Sequence, residues 1–137
     1  MKNGKKVLVF GTFDGVHEGH RHFLREAKKF GDILIVAVAR DEHVETLKKH
    51  SPRFSLQKRI ADLGAEKIAD YVIEADETLG TWNVILKNKP DVVALGYDQD
   101  GLGNALENAK GKFPFPIEIL KISSHKPDIF RSGLLNR

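Results

Sequence analysis

Five short apolar runs, Val7–Phe10, Ile33–Ala39, Tyr71–Ala75, Val92–Leu95 and Ile117–Ile122, are separated along the chain by longer amphipathic stretches. Runs of that length, rich in valine and isoleucine, read as strands, and the stretches between them carry apolar residues at helical spacing. Phe23, Leu24 and Ala27 share one face of a helix over 20–30 that Gly31 closes. Asp41 can cap a helix to Lys49, Ser51-Pro52 breaks it, and Ser55 can cap another through Ile60 and Leu63. Trp82, Ile85 and Leu86 place a helix over 81–88 that Pro90 ends, a weaker one covers 102–110, and 132–137 begins a last one. Ile33–Ala39 is apolar throughout, as in a strand covered on both faces, whereas Ile117–Ile122 alternates with Glu118 and Lys121 like an edge strand. The alternation predicts an α/β three-layer sandwich: a five-stranded parallel sheet, helices on both faces, right-handed crossovers.

A chain of 137 residues can bury a real core without staples, so a single domain over 1–137 is expected. It contains no apolar stretch of membrane-spanning length, and Met1-Lys2-Asn3-Gly4-Lys5-Lys6 has no signal-peptide core. With no cysteine, disulfides and thiolate–metal sites are excluded, and a cytoplasmic protein is the plain expectation. The net charge of +3 is mild, and the basic pairs Lys5-Lys6, Lys28-Lys29, Lys48-Lys49 and Lys58-Arg59 are scattered. Scattered charge suits an anionic small molecule, with no nucleic-acid or membrane partner expected. Most of these cations read as solvated helix faces.

The stretch Gly11-Thr12-Phe13-Asp14-Gly15-Val16-His17-Glu18-Gly19-His20 directly follows the first strand. A strand, a glycine-punctuated turn and a helix start make a phosphate cradle: free N–H groups and the positive dipole end point at the strand's carboxyl edge. His17 and His20, at i and i+3, share a face of the first helical turn. The stretch lacks the lysine of a P-loop, and Gly11…Gly15 is not the dinucleotide Gly-x-Gly-x-x-Gly. No third ligand stands at diagnostic spacing from the two histidines, which weakens a zinc reading.

These ten residues resemble the Gly-Thr-Phe-Asp…His-x-Gly-His motif of the cytidylyltransferase-like nucleotidylyltransferase superfamily. The resemblance implies a Rossmann-like fold of nucleotidylyltransferase type. It extends to Val38-Ala39-Arg40-Asp41-Glu42 at the second strand's exit, to Lys48-Lys49 and Gln57-Lys58-Arg59 where relatives carry basic residues around phosphates, and to Arg131-Ser132-Gly133. Leu95-Gly96-Tyr97-Asp98-Gln99 is similar to the fourth-strand exit of archaeal FMN adenylyltransferases. Glycerol-3-phosphate cytidylyltransferases resemble the first half, but their Arg-Thr-x-Gly-Ile-Ser-Thr run is reduced here to Arg131-Ser132-Gly133. The C-terminal cysteines of the archaeal enzymes are absent as well. Aminoacyl-tRNA synthetases share the histidine motif, but this chain lacks their lysine-rich loop and the length for tRNA recognition.

The resemblance implies attack by a substrate phosphate oxygen on the α-phosphorus of a nucleoside triphosphate, with pyrophosphate leaving. ATP with FMN is the first expectation. ATP or CTP with a sugar or polyol phosphate, of the glycerol 3-phosphate or lipopolysaccharide-core heptose type, is the alternative. A nucleotide-binding regulatory module without turnover is the alternative of another class. The catalytic residues implied are His17, His20, Lys49 and Arg59, the histidines donating to α- and β-phosphate oxygens and Lys48, Lys49 and Arg59 clamping the acceptor phosphate and pyrophosphate. The nucleotide would meet Thr12, Phe13, Asp14, His17, Gly19, His20, Asp98, Arg131 and Ser132. Gly15 and Gly19 would let backbone approach the phosphates. Mg²⁺ would arrive with the triphosphate; Asp14 could touch it or cap a turn. Trp82 reads as core. Relatives are often dimers, and Phe113, Phe115 and Phe130 could serve a homodimer interface or pack under loops.

Overall fold

A computed structural model describes residues 4–78 and 80–122. Strands β1 (Lys6–Gly11), β2 (Ile33–Val38), β3 (Tyr71–Glu74), β4 (Val92–Leu95) and β5 (Glu118–Lys121) alternate with helices α1 (Glu18–Lys28), α2 (Asp41–Lys48), α3 (Leu56–Glu66), α4 (Asn83–Asn88) and α5 (Asp100–Ala109). The strands form one parallel sheet in the order β3-β2-β1-β4-β5. Strand order therefore reverses between β1 and β4, the place where open α/β sheets leave a crevice at their carboxyl ends.

Both faces of the sheet are covered because β1, β2 and β4 are apolar at every central position. On one face Leu24 and Ala27 of α1 and Leu56 and Leu63 of α3 pack on Val7, Val9, Val36 and Val92. On the other, Ile85 of α4 and Leu106 of α5 pack on Leu8, Ile35 and Val93. Each such aliphatic side chain contributes about 1.5–3 kcal/mol by leaving water. Trp82 belongs to this second cluster, its ring edge-on to Phe113 at 6.4 Å. Phe113 and Phe115, half-buried, pack there too, stacked at 6.1 Å. Phe130 lies outside the described residues, as do Arg131, Ser132 and the expected last helix.

The ladder is uneven where it matters. β1 pairs with β2 along its whole length, from Lys6↔Ile33 to Gly11↔Val38, but with β4 only at Val7↔Val92 and Leu8↔Val93. Beyond Leu8 the two strands are free to part, and their carboxyl ends are joined by a side chain. Gln99 donates from Nε2 to the Phe10 carbonyl at 2.9 Å and accepts the Gly96 N–H on Oε1 at 2.8 Å.

Element boundaries depart from the sequence reading where caps were misplaced. α1 starts two residues before His20, because His17 itself is the cap. Asp41 does not cap α2; Arg40 holds that position and Asp41 is the first helical residue. Ser55 does cap α3, accepting the Lys58 N–H at 3.2 Å. α5 opens at Asp100 rather than 102 and tightens into a 3₁₀ turn over Lys110–Lys112. Among the described residues no helix is long and apolar enough to cross a membrane.

Candidate active site

The turn after β1 is shaped by an aromatic ring. Phe13 has φ +53° and its side chain is buried. The ring lies so close under Gly11 that a Cβ there would sit 2.5 Å from it. Its other edge meets the His20 imidazole, centroids 5.1 Å apart in a T-shaped contact. Phe13 thus supports the turn with its side chain, while its carbonyl closes the turn by accepting the Gly15 N–H at 3.0 Å.

The two histidines then cap α1 reciprocally. His17 occupies the cap position in extended conformation and its Nδ1 accepts the Gly19 N–H at 3.1 Å. The His20 Nδ1 accepts the His17 N–H at 3.3 Å. This is the geometry of a capping box, with imidazoles in the places usually held by Ser or Thr and Glu. Gly19 also makes room for the ring: a Cβ there would stand 3.0 Å from His17 Cε1.

Reciprocal capping fixes the chemistry of both rings. A neutral imidazole that accepts on Nδ1 carries its proton on Nε2. Each ring therefore offers an Nε2–H donor while its other nitrogen is tied to the helix start. The rings stack at 3.8 Å with planes 23° apart. Burial, and secondarily the neighbouring His17, push the His20 pKa down from 6.5 to about 4, against an upward pull from Asp98. At neutral pH His20 is an uncharged donor beside a helix N-terminus, suited to oxygens that gain negative charge.

Asp98, exposed at the corner after β4, is the partner across the crevice whose charge reaches His20. The turn and the β4 corner are thus brought together, with Gln99 beneath them as the staple between strands. The sequence reading named Asp98 and passed over Gln99. A glutamine one residue from a turn aspartate carries no signal of its own until the parting of β1 and β4 is seen.

Asp14 is a latch. Its carboxylate accepts the Arg53 N–H at 2.7 Å on Oδ2 and the Phe54 N–H at 2.9 Å on Oδ1. Burial raises its pKa, but these two bonds and the charges of Arg53 and Arg59 outweigh that and hold it below the usual 3.8. Asp14 does not cap the turn that follows it: its carboxylate holds the α2–α3 loop, far along the chain, and His17 caps α1. Both oxygens already face backbone N–H groups. Among the described residues no three His, Asp or Glu side chains group as metal ligands.

Arg59 corrects the sequence reading. It was expected to clamp a phosphate, but its side chain is fully buried. Nε donates to the Phe54 carbonyl at 3.0 Å, Nη1 to the Thr12 and Ala39 carbonyls at 2.9 and 2.8 Å, and Nη2 to Asp41 at 2.5 Å. The guanidinium braces the β1 turn, the β2 exit, the α2 start and the α2–α3 loop against one another. It also takes the Thr12 carbonyl, one of the backbone groups expected to face nucleotide. Lys48 and Lys49 are exposed at the end of α2, Lys49 in left-handed conformation with φ +62°, on the loop that Asp14 holds.

The sequence profile of the Cytidylyltransferase-like family matches residues 8–133. An FAD synthase of Thermococcus sibiricus is 35% identical over 136 residues, covering 97% of this chain and 92% of that protein. An FAD synthase of Ferroglobus placidus is 47% identical over 97 residues, covering 69% of this chain and 60% of that protein. The crystal structure of a lipopolysaccharide core biosynthesis protein from Thermoplasma volcanium superimposes with a TM-score of 0.83 at 33% identity, over 90% of this chain and all of that one. Parallel sheet, histidine-capped helix and whole-length similarity agree: the chain belongs to the cytidylyltransferase-like family and is a nucleotidyltransferase.

Proposed function

We propose that this enzyme transfers an adenylyl group from ATP to FMN, forming FAD and releasing pyrophosphate. The acceptor assignment rests on the archaeal FAD synthases that match nearly the whole chain. The chemistry rests on one observation, the pair of Nε2–H donors created by reciprocal capping of His17 and His20.

A phosphate oxygen of FMN attacks the α-phosphorus of ATP. As that bond forms, the bond from the α-phosphorus to the bridging oxygen breaks, and pyrophosphate departs with the electron pair. No side-chain nucleophile is needed, so the protein contributes position and charge stabilisation. His20, and His17 stacked on it, donate to oxygens of the α- and β-phosphoryl groups, and their bonds shorten as charge spreads in the transition state. Phe13 keeps the His20 ring in place and Arg59 keeps the turn in place. Lys49 lies on the loop beside the turn, where its ammonium would meet acceptor or leaving phosphate. Asp98 would receive the nucleotide's ribose or base across the crevice. A divalent cation, Mg²⁺ in this reading, neutralises triphosphate charge when bound. The donor set fits one carried in on the phosphates, since Mg²⁺ usually keeps several waters and takes one or two carboxylates at most.

The second reading is transfer to a sugar phosphate, kept open because the similar Thermoplasma volcanium structure is of a lipopolysaccharide core biosynthesis protein. Incubation with α-labelled ATP or CTP, Mg²⁺ and either FMN, glycerol 3-phosphate or a heptose phosphate separates the readings. Labelled FAD and stoichiometric pyrophosphate are expected from ATP with FMN alone. Label in a sugar nucleotide would replace this reading with the second. Tight ATP binding with no pyrophosphate from any acceptor would make the chain a nucleotide-binding regulatory module.

A further inference from the structure

With Arg59 enclosed, the latch of Asp14 brings another guanidinium to the turn. Arg53 stands exposed at the tip of the α2–α3 loop. Its main-chain N–H is bound by the Asp14 carboxylate, and its Nη2 donates to the Asp14 carbonyl at 2.9 Å. The guanidinium also lies over the Phe54 ring, 5.3 Å from the centroid. One main-chain bond fixes the residue, and two side-chain contacts hold a guanidinium that would otherwise sweep through solvent, which reduces the rotamer freedom left to lose on binding.

Its location is set by Gly15. That residue has φ +94°, and a Cβ built there would sit 2.5 Å from Arg53 Nη2, so any larger side chain would displace the guanidinium. Gly15 is two residues from His17, about 7 Å at most between α-carbons. The cation is therefore fastened to the same turn that presents the histidine donors. Its Nε and Nη1 have no hydrogen-bond partner among the described residues. The Asp14 carboxylate softens the field, but its oxygens are turned to backbone N–H groups, and the guanidinium bonds the Asp14 main-chain oxygen instead.

We propose that Arg53 grips a phosphate of the bound substrates, either on the triphosphate or on the acceptor, in the role the sequence assigned to Arg59. This deepens the nucleotidyl-transfer reading and rests on it. Nε and Nη1 keep N–H groups free to donate to phosphate oxygens in fixed directions, which a lysine there would offer only as a point charge.

Titration calorimetry of the wild type, Arg53→Gln and Arg53→Lys with pyrophosphate, ATP and FMN in turn tests this. Arg53→Gln should lose about tenfold in affinity for at least one ligand, the factor that about 1.4 kcal/mol from charge-assisted bonding is worth, and Arg53→Lys should recover part of it. Loss for pyrophosphate and ATP places the grip on the triphosphate; loss for FMN alone places it on the acceptor. Phenylglyoxal labelling of the wild type, read by mass spectrometry, needs no variant: the ligand gripped should protect Arg53. Unchanged affinities and unprotected labelling would overturn the proposal and leave Arg53 as a loop brace. Pyrophosphate and ATP binding do not depend on the acceptor, so a wild type that binds them and makes no FAD would sink the FMN reading separately.

Discussion

Replacing Arg59 with methionine separates a brace from a clamp. Methionine fills much of the volume and removes every donor. Three backbone carbonyls, of Thr12, Ala39 and Phe54, would lose their side-chain partner together with the Asp41 carboxylate. Breaking a buried ion pair from one side costs about 3–5 kcal/mol. The Asp41 side chain is 42% exposed and regains water, which argues for the lower end, about 3 kcal/mol. At roughly 3–4 °C per kcal/mol for a chain of this length, the melting temperature should fall by about 10 °C. Arg59→Lys keeps the charge but reaches fewer of the four acceptors and should fall between. Thermal and urea unfolding followed by circular dichroism measure the loss, with turnover assayed well below the variant's transition. A variant that melts within about 2 °C of wild type while turnover collapses would refute the reasoning and restore the clamp.

Gln99→Ala should lower stability by about 1–3 kcal/mol, since it leaves the Phe10 carbonyl and Gly96 N–H unpaired between parting strands; urea midpoints read this. Gln99→Glu, which can still accept from Gly96 but cannot donate to Phe10, should lose less, and equal losses would mean the bridge is not two-sided. The pH dependence follows from His20, whose pKa in the fold, about 4, lies below its ordinary 6.5. Between those values the unfolded chain binds the extra proton, so stability is full above about pH 6.5 and drains as pH falls toward 4. Asp14, also depressed, adds to the loss only below its usual 3.8. Urea titrations from pH 8 to 4 should show the upper step in wild type and a smaller one in His20→Gln.

The sheet was readable because its signal is redundant. Val7–Phe10, Ile33–Ala39 and Val92–Leu95 are apolar at every position, and no register shift could hide them. The histidine pair was readable as the opening of a helix after a strand because that setting is local in sequence. Arg59 was misread because an arginine in an amphipathic helix looks the same whether it faces solvent or four carbonyl and carboxylate acceptors drawn from distant segments. The Asp14 latch, the Arg53 guanidinium and the Gln99 staple share that difficulty: each joins residues remote along the chain, and nothing periodic marks them. A Cβ at Gly15 or Gly19 would crowd the Arg53 guanidinium or the His17 ring, contacts that likewise join side chains the sequence does not mark.

In the proposed chemistry two imidazoles, held by the helix they cap, donate to charge that appears only as the phosphoryl bond exchanges. The single-turnover rate of His20→Ala with ATP and FMN, set beside its dissociation constant for ATP, tests it most directly. The rate should fall about a hundredfold or more, with ATP affinity within about threefold of wild type. Equal losses in rate and affinity would make His20 a ground-state binding residue and contradict the account.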